Sequence, residues 1–308
     1  MRYPSPHLVM LRTGFPHPPS RSRGFTLIEM IMVIVITGII GSMVAVFLQA
    51  PVQQYMDVAR RADMTDIADT ALRRVARDLR LALPNSVRVS PDGLFIEFLP
   101  TGSASCVVGA PCLGGGRYRV EAASAGVSAG CGTLVTDALD FSAADTCFEV
   151  LGPMPAVAAG DQIVVYNLGI PGADAYAGSN RSAVAAAAAP TITIAPFLYP
   201  FDSPGQRFHV ISTPVTYACA PAAGGVGGTL TRWQGYAIQA AQPVALPAGG
   251  TSALLAANVS NCNFAYDGFV VAQRTGLVTM RLGITEATSN GGSEAVTLYS
   301  ATHVSNQP

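Results

Sequence analysis

The feature that most constrains this chain is an uncharged run of 19 residues, 30–48, with Glu29 immediately before it. At about 1.5 Å of rise per residue, a helix over that run is roughly 28 Å long, the thickness of a bilayer's hydrocarbon core. A secretory signal has a shorter apolar region followed by a small-x-small cleavage site. Phe47-Leu48-Gln49-Ala50-Pro51 provides no such site. A plain signal anchor accounts for the length but not for the glutamate at its start. A carboxylate at the centre of a membrane helix costs about 2.5–3.5 kcal/mol, and less toward the end, so an acid in such a segment points to function.

The flanks set the expected orientation. Residues 1–24 carry Arg2, Arg12, Arg21 and Arg23 and no acid, whereas the whole chain has a formal net charge of −1. A cationic leader before an acidic body is the pattern of a segment held in the cytoplasm while the remainder crosses a membrane. Pro4, Pro6, Pro16, Pro18 and Pro19 keep the leader from being helical. Met10 is an alternative start. With 50% hydrophobic and 12% charged residues, the chain is neither disordered nor a coiled coil. Its near-zero charge gives no nucleic-acid footprint.

The segment Gly24-Phe25-Thr26-Leu27-Ile28-Glu29, behind an arginine-rich leader and before the apolar run, resembles the processing site of type IV prepilins and type II secretion pseudopilins. The resemblance implies cleavage after Gly24 by a prepilin peptidase on the cytoplasmic side of the membrane, N-methylation of Phe25, and use of Glu29 in assembly. It implies that Glu29 of one subunit meets the Phe25 amine of its neighbour, so that two poorly solvated groups neutralise each other. Residues 55–63 and 72–89 further resemble minor pilins of the mannose-sensitive haemagglutinin (MSHA) type, and J-type pseudopilins of type II secretion share the same plan. The implied partners are prepilin peptidase, other pilin or pseudopilin subunits with their inner-membrane assembly machinery, and lipid along residues 25–50. The implied location is the bacterial inner membrane, with the leader cytoplasmic and the head periplasmic, followed by a pilus or pseudopilus. No cofactor or metal is implied.

Beyond Pro51, which reads as a kink or a join, residues 52–83 have amphipathic helical spacing. Ile67, Ala71, Leu72, Val75, Leu79 and Leu83 form the apolar stripe, and Asp63, Asp66, Arg73, Arg77 and Arg80 lie largely off it. Pro84-Asn85 supplies the stop. From residue 85 the helical period is lost. Val87–Val89 and Leu94–Leu99 flank Pro91-Asp92-Gly93 as a hairpin. Further strands are expected at 118–121, 162–167, 191–194, 207–217, 230–238, 259–266, 277–284 and 295–302. The alanine run 183–189 reads as one or two helical turns or as a loop insertion. The expected fold class is α+β: a long N-terminal helix packed on an antiparallel β-rich head, the pilin-like plan. The expected divisions are 1–24 (leader), 25–50 (membrane and assembly helix), 51–84 (its amphipathic continuation) and 85–308 (head). The resemblance returns weakly at 215–217, 230–232 and 262–266, and nothing resembles the stretch 100–205.

Six cysteines, Cys106, Cys112, Cys131, Cys147, Cys219 and Cys262, all on the exported side, suit disulfides in an oxidising compartment. Six cysteines permit fifteen pairings, and the set expected, from closing local loops or joining adjacent strand candidates, is Cys106–Cys112, Cys131–Cys147 and Cys219–Cys262. Zinc spacing is absent, and the exported histidines, His209 and His303, stand apart. Gly126-Val127-Ser128-Ala129-Gly130, with Asp137 or Asp140 and then His209, matches a hydrolase nucleophile elbow in order only. It lacks the strand before and the helix after that the elbow needs, so no enzyme is expected. Asp137, Asp140, Asp145, Asp161 and Asp174 fit no standard calcium loop and read as turn acids. Trp233, the single tryptophan, reads as a packed strand residue.

Overall fold

The computed structural model describes residues 24–103, 114–120, 137–268, 275–288 and 291–308. One helix, α1 (Leu27–Leu79), continues through Pro51. The chain divides within it into two compact units, Met1–Met56 and Asp57–Pro308.

In the first unit every described side chain from Gly24 to Leu48 is exposed. Leu27, Ile34, Met43, Val46 and Phe47 are among them, so this part of α1 buries nothing against its own unit. In the second unit α1 has a buried stripe, Met64, Ala68, Ala71, Leu72, Val75 and Leu79, at three- and four-residue steps. Ile67 is outside that stripe at 38% exposure, contrary to the sequence expectation, and Met64 and Ala68 take the inward positions. The helix also stops before Leu83. Leu83 N donates to the Leu99 carbonyl and Thr101 N to the Leu81 carbonyl, both at 2.7 Å, so the last residues leave the helix to pair with the chain that follows the first hairpin.

The strands in chain order are β1 (Arg88–Val89), β2 (Phe95–Phe98), β3 (Gly115–Tyr118), β4 (Asp145–Leu151) and β5 (Gln162–Val165). They continue as β6 (Arg181–Ala188), β7 (Thr191–Phe197), β8 (Arg207–Ile211), β9 (Val215–Ala220) and β10 (Thr229–Gln234). The last four are β11 (Thr251–Ala257), β12 (Val259–Asp267), β13 (Thr275–Ala287) and β14 (Ser293–Ser305). They form a five-stranded sheet in the order β1-β2-β9-β10-β11, a three-stranded sheet β12-β13-β14, and a closed barrel β3-β4-β7-β6-β5-β8. All pairings between these strands are antiparallel.

Both sheets cover the same helix stripe. Ile96, Phe98, Tyr217 and Leu230 of the larger sheet share a buried cluster with Phe264, Val278, Met280 and Ile284 of the smaller one. The sheets are joined at backbone level by Phe264 N donating to the Gly93 carbonyl at 2.8 Å and Val259 N to the Gly228 carbonyl at 3.1 Å. Gly93 makes the first joint possible, since its φ of +69° closes the turn that carries this carbonyl outward. The Cys219–Cys262 disulfide bonds β9 to β12, the expected pairing. Arg61 of α1 reaches Glu294 of β14 as an ion pair.

The barrel lies in the chain between β2 and β9 and has its own core, with Tyr118, Phe148, Ile163, Ile192, Phe208 and Val210 inside. The alanine run is strand β6. It pairs with β7 across a register shift between Val184 and Ala186, and Ser182 and Val184 point inward. Poor intrinsic strand preference is overridden here by a partner strand that supplies the ladder and the branched side chains. The barrel meets the helix end through a small separate cluster of Leu83, Leu99, Val164 and Ile211.

Asp78 holds the helix to the larger sheet. Its carboxylate accepts from the Tyr217 hydroxyl at 2.7 Å and from Arg232 Nε at 2.8 Å. Asp78→Ala removes the acceptor of the buried Tyr217 phenol and of Arg232 Nε, leaving Arg232 its bond to Gln234, and is expected to cost about 1–3 kcal/mol in chemical denaturation. Opening the Cys219–Cys262 bond, which spans 43 residues, is expected to cost about 4 kcal/mol on the chain-entropy relation, read as a shift in denaturation midpoint under reducing conditions.

Candidate functional site: the start of the apolar helix

Gly24, Phe25 and Thr26 precede the helix and lie outside it. Thr26 is the N-cap: Glu29 N donates to Thr26 Oγ1 at 3.3 Å, and the Thr26 carbonyl accepts from Met30 N at 3.1 Å. Thr26-Leu27-Ile28-Glu29 is therefore spaced as a capping box, with the acid at the third helical position. The acid stands in the first helical turn, at the positive end of the helix macrodipole. Thr26 carries no role in the sequence reading above, although the Thr-x-x-Glu spacing before an apolar run is the signal that finds it.

The residues on the N-terminal side have a different logic. Phe25 is 77% exposed. A Cβ built at Gly24 would meet nothing within 4 Å, and Gly24 has no positive φ. Among the described residues neither packing nor backbone geometry requires glycine at that position. The Gly24–Phe25 bond is exposed and non-helical, as a peptidase requires of the bond it cuts.

Residues 19–45 match the prokaryotic N-terminal methylation motif. No curated protein and no solved structure matches the chain. The motif contains Gly24, Phe25 and Glu29, and among the described residues α1 is the one helix long and apolar enough to cross a membrane. Together they support a membrane-anchored type IV pilin-like or pseudopilin-like protein, and they imply processing by prepilin peptidase and assembly with other pilins.

The other sequence candidates are dispersed. Of the cysteines, Cys219 and Cys262 pair and Cys147 is also disulfide-bonded. Cys106, Cys112 and Cys131, and with them the expected Cys106–Cys112 and Cys131–Cys147 pairs, lie outside the described residues. So does Gly126–Gly130 with Ser128. His209 is on β8, where burial, with Arg207 nearby, depresses the imidazole pKa to about 4 and keeps the ring neutral at pH 7. Asp137 is raised, first by burial and then by Asp145.

The remaining acids cap turns and strands. Asp140 accepts from Ser142 N at 2.7 Å, Asp145 from Thr146 N at 2.7 Å, Asp161 from Ala158 N at 2.8 Å and Asp174 from Tyr176 N at 2.9 Å. Among the described residues no three His, Cys, Asp or Glu side chains converge on a metal position. Trp233 is buried against Phe95, with ring centroids 5.7 Å apart.

Because nothing among the described residues needs Gly24 to be glycine, Gly24→Val is expected to change folding stability by less than about 0.5 kcal/mol. The same substitution is expected to leave the leader attached. Intact-mass measurement of the membrane fraction, alongside thermal unfolding, reads both outcomes.

Proposed function

We propose that this chain is a structural minor pilin, cut after Gly24, N-methylated at Phe25, and built into the tip or initiation complex of a type IV pilus of the MSHA type. The observation that carries the reading is a single carboxylate, Glu29, at the third position of an apolar helix whose described side chains are exposed from Leu27 to Leu48. Such a surface is unstable in water and needs lipid or other apolar helices around it. Once among other helices, the carboxylate needs a cation, and cleavage at Gly24 creates one at Phe25 of each subunit. A neighbouring subunit in a packed fibre offers that amine at the matching depth. The large head fits a minor subunit, since bulky heads impede dense repetition along a fibre.

The finer assignment, to an MshO-like minor pilin, rests on the resemblance of residues 55–89. A type II secretion pseudopilin has the same N-terminal chemistry and differs in what its loss abolishes, secretion instead of piliation. In both readings the head is periplasmic and the leader cytoplasmic.

Glu29→Val is expected to leave cleavage intact, with Phe25 as the first residue by intact mass, and to reduce the subunit recovered in sheared pili about tenfold or more. Normal incorporation of the variant would sink the charge-pairing mechanism. Retention of residues 1–24 in cells that possess the peptidase would sink the pilin reading altogether.

A further inference from the structure

The outer face of the barrel carries a feature that assembly through the helix does not use. β3 and β8 run antiparallel with Arg117 opposite Arg207 and Gly115 opposite His209. Residues directly opposite, and residues two apart on one strand, share a face. Arg117, Arg207, Gly115 and His209 therefore stand together outside, while Phe208 and Val210 fill the barrel core. Like charges directly across a ladder repel. Both arginines are exposed, and neither forms an ion pair among the described residues. Arg117 is steadied by donating to Gln206 Oε1 at 2.8 Å.

A cleft of about 420 Å³ opens beside them, walled by Thr101, the two arginines and His209, and floored by glycines 114–116. A side chain on either of the first two glycines would collide with the chain itself. A Cβ at Gly115 would overlap the Phe208 carbonyl, and one at Gly114 would meet Thr101 Oγ1 at 2.7 Å. At its base the buried Nε2 of His209 has no hydrogen-bond partner, an arrangement that costs free energy in an isolated protein.

We propose that this cleft binds a carboxylated saccharide, its carboxylate held between Arg117 and Arg207 and its ring lying over the glycine floor toward His209. A planar guanidinium fork matches a carboxylate in two parallel hydrogen bonds, and a bound anion removes the Arg117–Arg207 repulsion. The cleft is larger than a bare ion needs and falls within the roughly 300–1,000 Å³ of small-molecule sites. The described lining is mixed: carbon atoms of the glycines, Thr101 and the arginine stems lie beside backbone, hydroxyl, imidazole and guanidinium groups. A mixed wall suits a sugar, whose ring has C–H faces and hydroxyl edges, over a wholly apolar ligand. The inference is independent of how the subunit assembles.

The test uses the full chain in detergent micelles with ¹⁵N-labelled histidine. His209 is a reporter at the cleft, and His303 on β14 is the internal control. Sodium glucuronate is expected to shift the His209 ring signals saturably and leave His303 unmoved, glucose to shift neither, and acetate to bind about tenfold more weakly than glucuronate. Arg207→Gln and Arg117→Gln, both exposed and compatible with folding, are each expected to weaken glucuronate about tenfold, while Arg281→Gln on β13 leaves it unchanged. No His209 shift with glucuronate, an equal shift with glucose, equal affinity for acetate, or full affinity in the Arg207→Gln variant would each overturn the proposal.

Discussion

The rest of the structure depends on one unmet requirement, the exposed apolar helix that begins at Leu27. Burying a side chain the size of Leu, Ile, Val, Met or Phe is worth about 1.5–3 kcal/mol, and the exposed segment presents many of them. No other described part of its own unit covers them, so lipid or neighbouring apolar helices are the surroundings such a surface needs. The same requirement makes Glu29 informative. In a water-facing helix an acid at the third position would be an ordinary capping residue, and here Thr26 caps the backbone N–H of Glu29. On an apolar helix a carboxylate surrounded by lipid or other helices lacks a partner unless a cation reaches it. Local geometry fixes where the carboxylate stands, and the environment decides what it meets.

The second half of α1 solves the opposite problem. Here the helix has one apolar stripe, and two sheets close over it. Neither sheet alone would suffice, because the smaller has only three strands, and its own pairing is barely stable without a packed face. The joints are correspondingly varied: two backbone hydrogen bonds, the Cys219–Cys262 bond and the Arg61–Glu294 pair. Asp78 adds a polar lock at the other end of the stripe. Arg88 and the buried Glu97 make a comparable lock at 2.6 Å on β1 and β2, with the Tyr236 hydroxyl donating to the same carboxylate at 2.9 Å. Burial pushes the Glu97 carboxyl upward, and Arg88 opposes the shift.

What could be read from the sequence follows from how local each determinant is. The apolar run, the helix stripe near Ala71–Leu79 and the Pro91-Asp92-Gly93 hairpin are set by residues within a few positions of one another, and they stand where the pattern puts them. Gly24, Phe25 and Glu29 lie in the matched stretch 19–45, and that motif is legible because it is contiguous. The misses come from partners distant in sequence. The exchange of Ile67 for Met64 depends on which sheet covers the helix. Residues 80–83 leave the helix because Leu99 and Thr101 offer ladder bonds, which a helical period cannot foretell. β4 carries Asp145 and Glu149 and so reads as a loop, yet Arg119 pairs with Glu149 at 2.6 Å and permits the strand. β6 is an alanine run that only β7 makes a strand. The barrel as a whole was invisible because closure is a property of six strands together, with no signature in any one of them.

Closure also explains how so large an insertion between β2 and β9 is tolerated. An open sheet of six strands would add two exposed edges, each a template for unwanted pairing with another chain. The barrel has none. Its core is separate from the one under the helix, and among the described residues a small cluster of Leu83, Leu99, Val164 and Ile211 lies between the two. Changes on the barrel's outer face, such as the Arg117–Arg207 pair, are therefore shielded from the stripe that holds α1. The chain can vary what the barrel presents without disturbing the helix that anchors it. That separation lets the barrel surface change independently and leaves the apolar stretch of the helix, with the motif that opens it, as a separate part of the chain.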